Sequence, residues 1–203
     1  MKLFLTSNGL SSRKLKREFS KLIEKPAGEV KILVIGTLSE RGHKQFVQWV
    51  TEELEDININ KRNIYTANIS EEVNFSKFKD ADIIYLLGGD TFYMLERLRK
   101  NNFKDFLTRY NSKDKIFVSI SAGTIIAGPN IKIAEWGSEA DDNYVHLKDL
   151  TGLNLTNTAI YVHYEDRLKH EIDDFKKIAD YPVETVKDGE ALVIINEKKR
   201  KIK

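Results

Sequence analysis

Asp82-Ile83-Ile84-Tyr85-Leu86-Leu87-Gly88-Gly89-Asp90-Thr91-Phe92 sets an apolar run, a glycine pair and a helix start in direct succession. Asp82–Leu87 reads as a strand covered on both faces, because its apolar residues run on without alternation. The glycine pair breaks the strand. Asp90 or Thr91 then caps a helix over Thr91–Lys100 that places Phe92, Leu95 and Leu98 on one stripe. The same strand-then-helix rhythm extends outward. Further strands are expected at Lys2–Thr6, Val30–Gly36, Ile64–Ala67 and Ile116–Ser119. Amphipathic helices are expected over Ser12–Ile23 (Leu15, Phe19, Leu22 and Ile23 on one stripe) and His43–Asp56 (Phe46, Trp49, Val50 and Leu54 on one stripe). Such alternation predicts βαβ units, a mostly parallel sheet and helices on both of its faces, hence a three-layer α/β/α sandwich.

Beyond Asn130 the rhythm changes. Ile131–Asp149 is polar and weakly periodic, and reads as a long loop walling a site. Thr158–Val162 is a further strand and Leu168–Ala179 a further helix. Val183–Val186 and Ala191–Ile195, joined through Asp188-Gly189, predict a hairpin. No repeat and no linker interrupts the pattern, so residues 1–203 are expected to form one domain.

Bulk properties narrow the function classes. The 203 residues are 41% hydrophobic and 32% charged, with 33 basic against 31 acidic residues and no cysteine. Thiol catalysis, disulfides and zinc–thiolate sites are excluded. A net charge of +2 gives no electrostatic footprint for nucleic acid. The basic cluster Lys198-Lys199-Arg200-Lys201 reads as a solvated hairpin end, with a polyanion patch as the rival reading. No apolar run reaches the roughly 18 residues of a membrane span, and Met1–Thr6 is too short for a signal peptide. Cytoplasmic location, with neither membrane nor nucleic-acid partner, is the expectation.

Chemistry concentrates at Ile116-Phe117-Val118-Ser119-Ile120-Ser121-Ala122-Gly123-Thr124. An apolar strand runs into Ser121 and a small-residue helix start follows, the layout of a nucleophile elbow. Small residues flank the serine at Ser119 and Gly123, where bulk would collide with the tight turn. The helix start behind Ser121 favours developing negative charge. Gly88 or Gly89 supplies one side of an oxyanion hole and the N–H of Ala122 the other. A plain tight turn, or a glycine loop holding phosphate, are the competing readings. Neither phosphate-loop pattern, G-x-x-x-x-G-K-[ST] or G-x-G-x-x-G, occurs.

A serine nucleophile needs a base, and a base needs an orienting carboxylate. Of four histidines, His163 ends an apolar strand at a loop, His146 lies in the long loop, His43 starts a helix and His170 sits on a polar helix face. His163 is the best placed, with His146 the alternative. Glu135, Glu139, Asp141 and Asp142 are the candidate acids in the loop, taken in the order acid-then-histidine found in α/β hydrolases.

With these residues placed, the chain resembles the peptidase E (aspartyl dipeptidase) family, relatives of cyanophycinase. The resemblance is carried by Leu3-Phe4-Leu5-Thr6-Ser7-Asn8, Gly88-Gly89-Asp90-Thr91-Phe92, Ser121-Ala122-Gly123, Gly128-Pro129-Asn130, Leu153-Asn154-Leu155 and Val162-His163-Tyr164. It implies a flavodoxin-like or class I glutamine-amidotransferase-like sandwich and a Ser-His-acid triad with no metal or organic cofactor. It also implies cleavage of dipeptides, typically after an N-terminal aspartate. Ser121 matches the nucleophile, His163 the base, and Gly89 and Ala122 the oxyanion hole. Alignment from His163 points to Asp141 as the acid and alignment from Ser121 to Glu135; Asp141 is preferred, because Leu153-Asn154-Leu155 holds the register. Gly88 and Arg167 are the residues expected against the substrate. The expected partner is a short peptide, and the chain is read as a monomer or homodimer. Two rival readings remain: a catalytically impaired relative binding a peptide or metabolite at this site, and a phosphate- or nucleotide-binding flavodoxin-like domain.

Overall fold

The computed structural model describes residues 1–37 and 40–203, without the side chains of residues 40–44. His43 therefore lies outside the described side chains. In chain order the main elements are β1 (Lys2–Thr6), α1 (Arg13–Ser20), β2 (Ile32–Gly36), α2 (Glu40–Glu55), β3 (Ile64–Asn68), β4 (Ile83–Leu86), α3 (Thr91–Lys100), α4 (Phe103–Tyr110), β5 (Ile116–Ile120), α5 (Ala122–Ile126), β6 (Ala159–Tyr161), α6 (Lys169–Ile178), β7 (Val183–Thr185), β8 (Ala191–Ile195) and β9 (Lys198–Ile202).

Seven strands form one sheet in the order β3-β2-β4-β5-β1-β8-β9. The first five run parallel, and β8 and β9 run antiparallel to their neighbours. Alternate residues of each strand enter opposite cores. Leu3, Leu5, Leu33, Ile35, Ile84, Leu86 and Phe117 face α3, α4, α5 and α6. Phe4, Ile32, Val34, Ile83, Tyr85, Ile116 and Val118 face α1 and α2. The result is a three-layer α/β/α sandwich. Each fully buried Leu, Ile or Phe is worth about 1.5–3 kcal/mol, which is why strands covered twice are apolar throughout.

Three elements differ from expectation. Helix α4 packs Phe103, Phe106, Leu107 and Tyr110 inward, with Phe75 stacked on Phe106; Asn102, at φ 53°, separates it from α3. The hairpin is β8–β9, turning through Asn196 and Glu197 at φ 49° and 66°. The basic cluster is thus an edge strand, whose charges discourage further pairing, with Arg200 bonded to Glu18 at 3.0 Å. Finally, β7 does not pair with β8. It pairs in parallel with β6 in a separate two-stranded sheet. Asp188-Gly189 therefore joins two sheets, although a tight turn does form there, Glu190 N–H donating to Lys187 O at 3.0 Å.

The pairing of β8 with β1 matters for the site. Antiparallel register sets Ala191, the first residue of β8, opposite Thr6, the last of β1. The Lys187–Glu190 turn is thereby brought to the edge where the parallel strands end. Open α/β sheets bind ligands at that edge.

Candidate active site

Strand β5 delivers Ser121 into a backbone conformation of φ 48°, ψ −119°. A non-glycine residue there costs about 1–3 kcal/mol, so its surroundings must enforce it. They do so through a buried network. Ser121 N–H donates to Thr6 O at 3.1 Å. Thr6 Oγ1 donates to Ser119 O, Thr124 Oγ1 donates to Thr6 O, and the Ser119 and Thr124 hydroxyls bond one another, each at 2.7 Å. Ser119 thus does more than stay small. Gly123 is required by close approach, since a Cβ there would lie 2.7 Å from Leu87 O. At Gly88 a Cβ would lie 3.0 Å from Ser121 Cβ, so Gly88 abuts the serine directly.

His163 follows β6 and has a left-handed backbone, φ 51°. Its Nε2 lies 2.9 Å from Ser121 Oγ. Its Nδ1 lies 2.8 Å from Asp188 Oδ1. With the proton on Nδ1, the ring donates to Asp188 and accepts the Ser121 hydroxyl proton at Nε2. Ser7 Oγ donates to the same Asp188 oxygen at 2.6 Å and accepts the His163 backbone N–H at 2.8 Å.

The carboxylate beside His163 is therefore Asp188, and the expectation of Asp141 is corrected. Asp141 Oδ2 instead accepts a hydrogen bond from Thr91 Oγ1 at 2.5 Å. It lines the cavity in front of Ser121 rather than the far side of the imidazole. Glu139 bonds Arg167, and Glu135 and Asp142 are exposed. His146 is exposed in the loop, and His170 pairs with Asp174 on the surface of α6. The chain order is serine, histidine, acid, not the α/β-hydrolase order on which the loop carboxylates were chosen. The available signal was the aspartate of the Asp188-Gly189 turn, a few residues past a strand and downstream of His163.

A cavity of about 280 Å³ opens in front of Ser121. Ile125, Ile133, Ala134 and Val162 give it apolar walls, and Gly89 and Ala122 line it beside the serine. Gly89 has φ 152°, and a Cβ there would press within 3.2 Å of Thr37 Oγ1. Glu139, Asp141, Glu165 and Arg167 form the polar wall. Arg167 Nε donates to Glu165 at 2.7 Å and its Nη2 to Glu139 at 2.8 Å. These bonds, Glu139 foremost, hold the guanidinium above its usual pKa. Burial, together with the Asp141 and Asp142 charges, pushes the nearby Asp90 carboxyl upward while Asp90 caps α3.

This sandwich carries a strained serine at the carboxyl edge of its sheet with an imidazole against it. The chain is a member of Peptidase family S51, whose pattern matches residues 3–202. An uncharacterized peptidase of Pasteurella multocida (strain Pm70) is 26% identical over 146 residues, 70% of this chain and 68% of that one. An uncharacterized peptidase of Listeria monocytogenes is 28% identical over 97 residues, 48% of this chain; the match spans about half of that relative, 47%. Among solved structures, one from Listeria monocytogenes EGD-e assigned by name to peptidase E superposes with a TM-score of 0.77 at 21% identity, covering 100% of this chain and 98% of the other. A peptidase from an acI-B1 Actinobacterium superposes with a TM-score of 0.67 at 16% identity, over 96% and 83%. These two likenesses establish the fold, and the family establishes a peptidase. No helix among the described residues is long and apolar enough to cross a membrane.

Proposed function

We propose that the protein is a serine peptidase of short peptides, working through Ser121, His163 and Asp188. The observation that carries this reading is the unbroken line of contacts from Ser121 Oγ to His163 Nε2, 2.9 Å, and from His163 Nδ1 to Asp188 Oδ1, 2.8 Å. Ser121 attacks the scissile carbonyl as His163 takes its proton. The imidazolium, balanced by Asp188, then returns that proton to the leaving amine. The N–H groups of Gly89 and Ala122 face the developing oxyanion; one such donor is typically worth about 3–4 kcal/mol of barrier.

The cavity suits a dipeptide-sized substrate in volume. Asp141, bonded to a neutral threonine, offers a carboxylate to the substrate ammonium. Arg167 is the cation for an acidic side chain or terminal carboxylate, which would have to compete with Glu139 and Glu165. Three carboxylates in the cavity wall, two of them bonded to its one guanidinium, disfavour a phosphate ligand. The test is hydrolysis of Asp-X, Glu-X, neutral and basic dipeptides by wild type and Ser121→Ala, with fluorophosphonate labelling in parallel. Wild-type turnover and labelling, both abolished in Ser121→Ala, are expected; a Ser121→Ala protein that still hydrolyses the substrate refutes the assignment.

A further inference from the structure

We propose that Ser7 is a positioning residue of this site, a fourth group that sets both the histidine and the acid. The proposal rests on the serine-peptidase reading above. Ser7 is the first residue past β1 and is fully buried. Strand β1 is paired on both sides, by β5 and β8, so its end is held from two directions. A hydroxyl has one proton and two acceptor sites. The Ser7 proton goes to Asp188 Oδ1 at 2.6 Å, one acceptor site takes the His163 backbone N–H at 2.8 Å, and His163 Nδ1 stands 3.1 Å away.

These contacts supply what the histidine and the acid lack. The side chains of His163 and Asp188 are 50% and 58% exposed. A pair so open to water is weakly oriented by its own attraction. His163 also holds a left-handed backbone that a non-glycine residue adopts only when its surroundings impose it. The bond from its N–H to Ser7 supplies that restraint at the α-carbon, upstream of the ring. On the acid side, imidazole and hydroxyl converge on one oxygen of Asp188, leaving the carboxylate little freedom to rotate away. The neighbouring Asn8 adds a second hold on the same turn, its Oδ1 accepting the Gly189 N–H at 2.9 Å. Two consecutive residues just past β1 thus place base and acid relative to the serine, which itself hangs from Thr6 of that strand. Catalysis depends on reacting groups being held before substrate arrives, and here buried backbone-anchored groups hold exposed ones.

The experiment compares wild type, Ser7→Ala, Ser7→Thr and Ser121→Ala by thermal unfolding, dipeptide turnover and the rate of fluorophosphonate labelling of the folded protein. Ser7→Ala is expected to lower kcat by about 10- to 100-fold, the range for removing a group that orients a reactive one, with KM within about threefold. Labelling of Ser121 slows by the same factor, and Ser7→Thr, which keeps the hydroxyl, restores it. A purely structural serine would lower the unfolding midpoint and leave the labelling rate of folded protein unchanged; that result overturns the proposal. Should Ser7→Ala fail to fold, the folded Ser7→Thr protein decides: wild-type labelling supports the proposal and slowed labelling overturns it. Wild-type protein that neither labels nor turns over defeats the serine-peptidase reading itself. A normal wild type and a dead Ser121→Ala beside a fully active Ser7→Ala defeat only the role of Ser7.

Discussion

Replacing Asp188 by asparagine, beside the same change at Asp141, separates the acid seen in space from the one expected from sequence. Asparagine keeps the size of the side chain and removes its charge. The charge matters once His163 becomes an imidazolium with its Nδ1 2.8 Å from Asp188 Oδ1. Coulomb's law at that separation gives about 1.5 kcal/mol at the dielectric constant of water and about 3 kcal/mol at half that value. The pair is half-exposed, so the effective dielectric lies in that upper range rather than near that of a dry interior. Since about 1.4 kcal/mol corresponds to a tenfold change in rate, kcat should fall roughly 10- to 150-fold. The loss grows further if the new amide turns its NH2 toward Nδ1 and forces the wrong tautomer. Asp141→Asn leaves the imidazole untouched, so its effect should fall on KM for substrates with a free amino terminus. Steady-state kcat and KM on one dipeptide, with fluorophosphonate labelling as a substrate-independent check, give both numbers. Asp188→Asn at wild-type rates, with kcat and labelling lost in Asp141→Asn, refutes the reasoning.

Gly123→Ala would set a Cβ 2.7 Å from Leu87 O and 2.8 Å from Leu86 O; a loss of about 1–3 kcal/mol, read by urea unfolding, is expected from such overpacking, and an unchanged midpoint would contradict the close seating of α5 on β4. Glu53 is buried, with Oε2 near Leu10 N–H and Tyr85 OH and Oε1 without a partner among the described residues. Burial pushes its carboxyl up to about 7 from 4.5. The folded state therefore keeps a proton that the unfolded chain releases, and stability contributed by Glu53 is full below about pH 4.5 and lost as pH rises through 7, by at most roughly 3 kcal/mol. Glu53→Gln should remove that slope, so that its advantage over wild type in denaturant unfolding is larger at pH 8 than at pH 5; equal differences at both refute the buried-carboxyl account. Arg167→Lys cannot reproduce the forked contacts to Glu139 and Glu165. It should raise KM for acidic dipeptides about tenfold or more while fluorophosphonate labelling stays at the wild-type rate, a hydrogen bond to a charged group being worth roughly 1.5–3 kcal/mol; unchanged KM removes Arg167 from substrate recognition.

Local pattern made most of the sheet legible. Strands β1 to β5 and helices α1, α2, α3 and α6 fall within a few residues of expectation, because twice-buried strands and amphipathic helices write their burial directly into their periodicity. Helix α4 escaped because only Asn101 and Asn102 separate it from α3 and its eight residues are too few for a clear helical period. Strand β9 escaped because an edge strand carries charge in place of an apolar signature.

The site divides along the same line. The elbow at Ser121 was legible in sequence because an elbow is a local object: strand, small residues and helix lie within a dozen positions, and the strain they impose is chiefly a matter of nearest neighbours. His163 could be singled out because it follows an apolar strand into a loop. Asp188 could not be chosen over the loop carboxylates. Its place against His163 depends on β7 joining β6 in one sheet while β8, three residues on, pairs antiparallel with β1 in another. A carboxylate in a sequence carries no record of which strand its neighbours will pair with. That choice was made by non-local pairing, and the same pairing brought Ser7 under both the histidine and the acid.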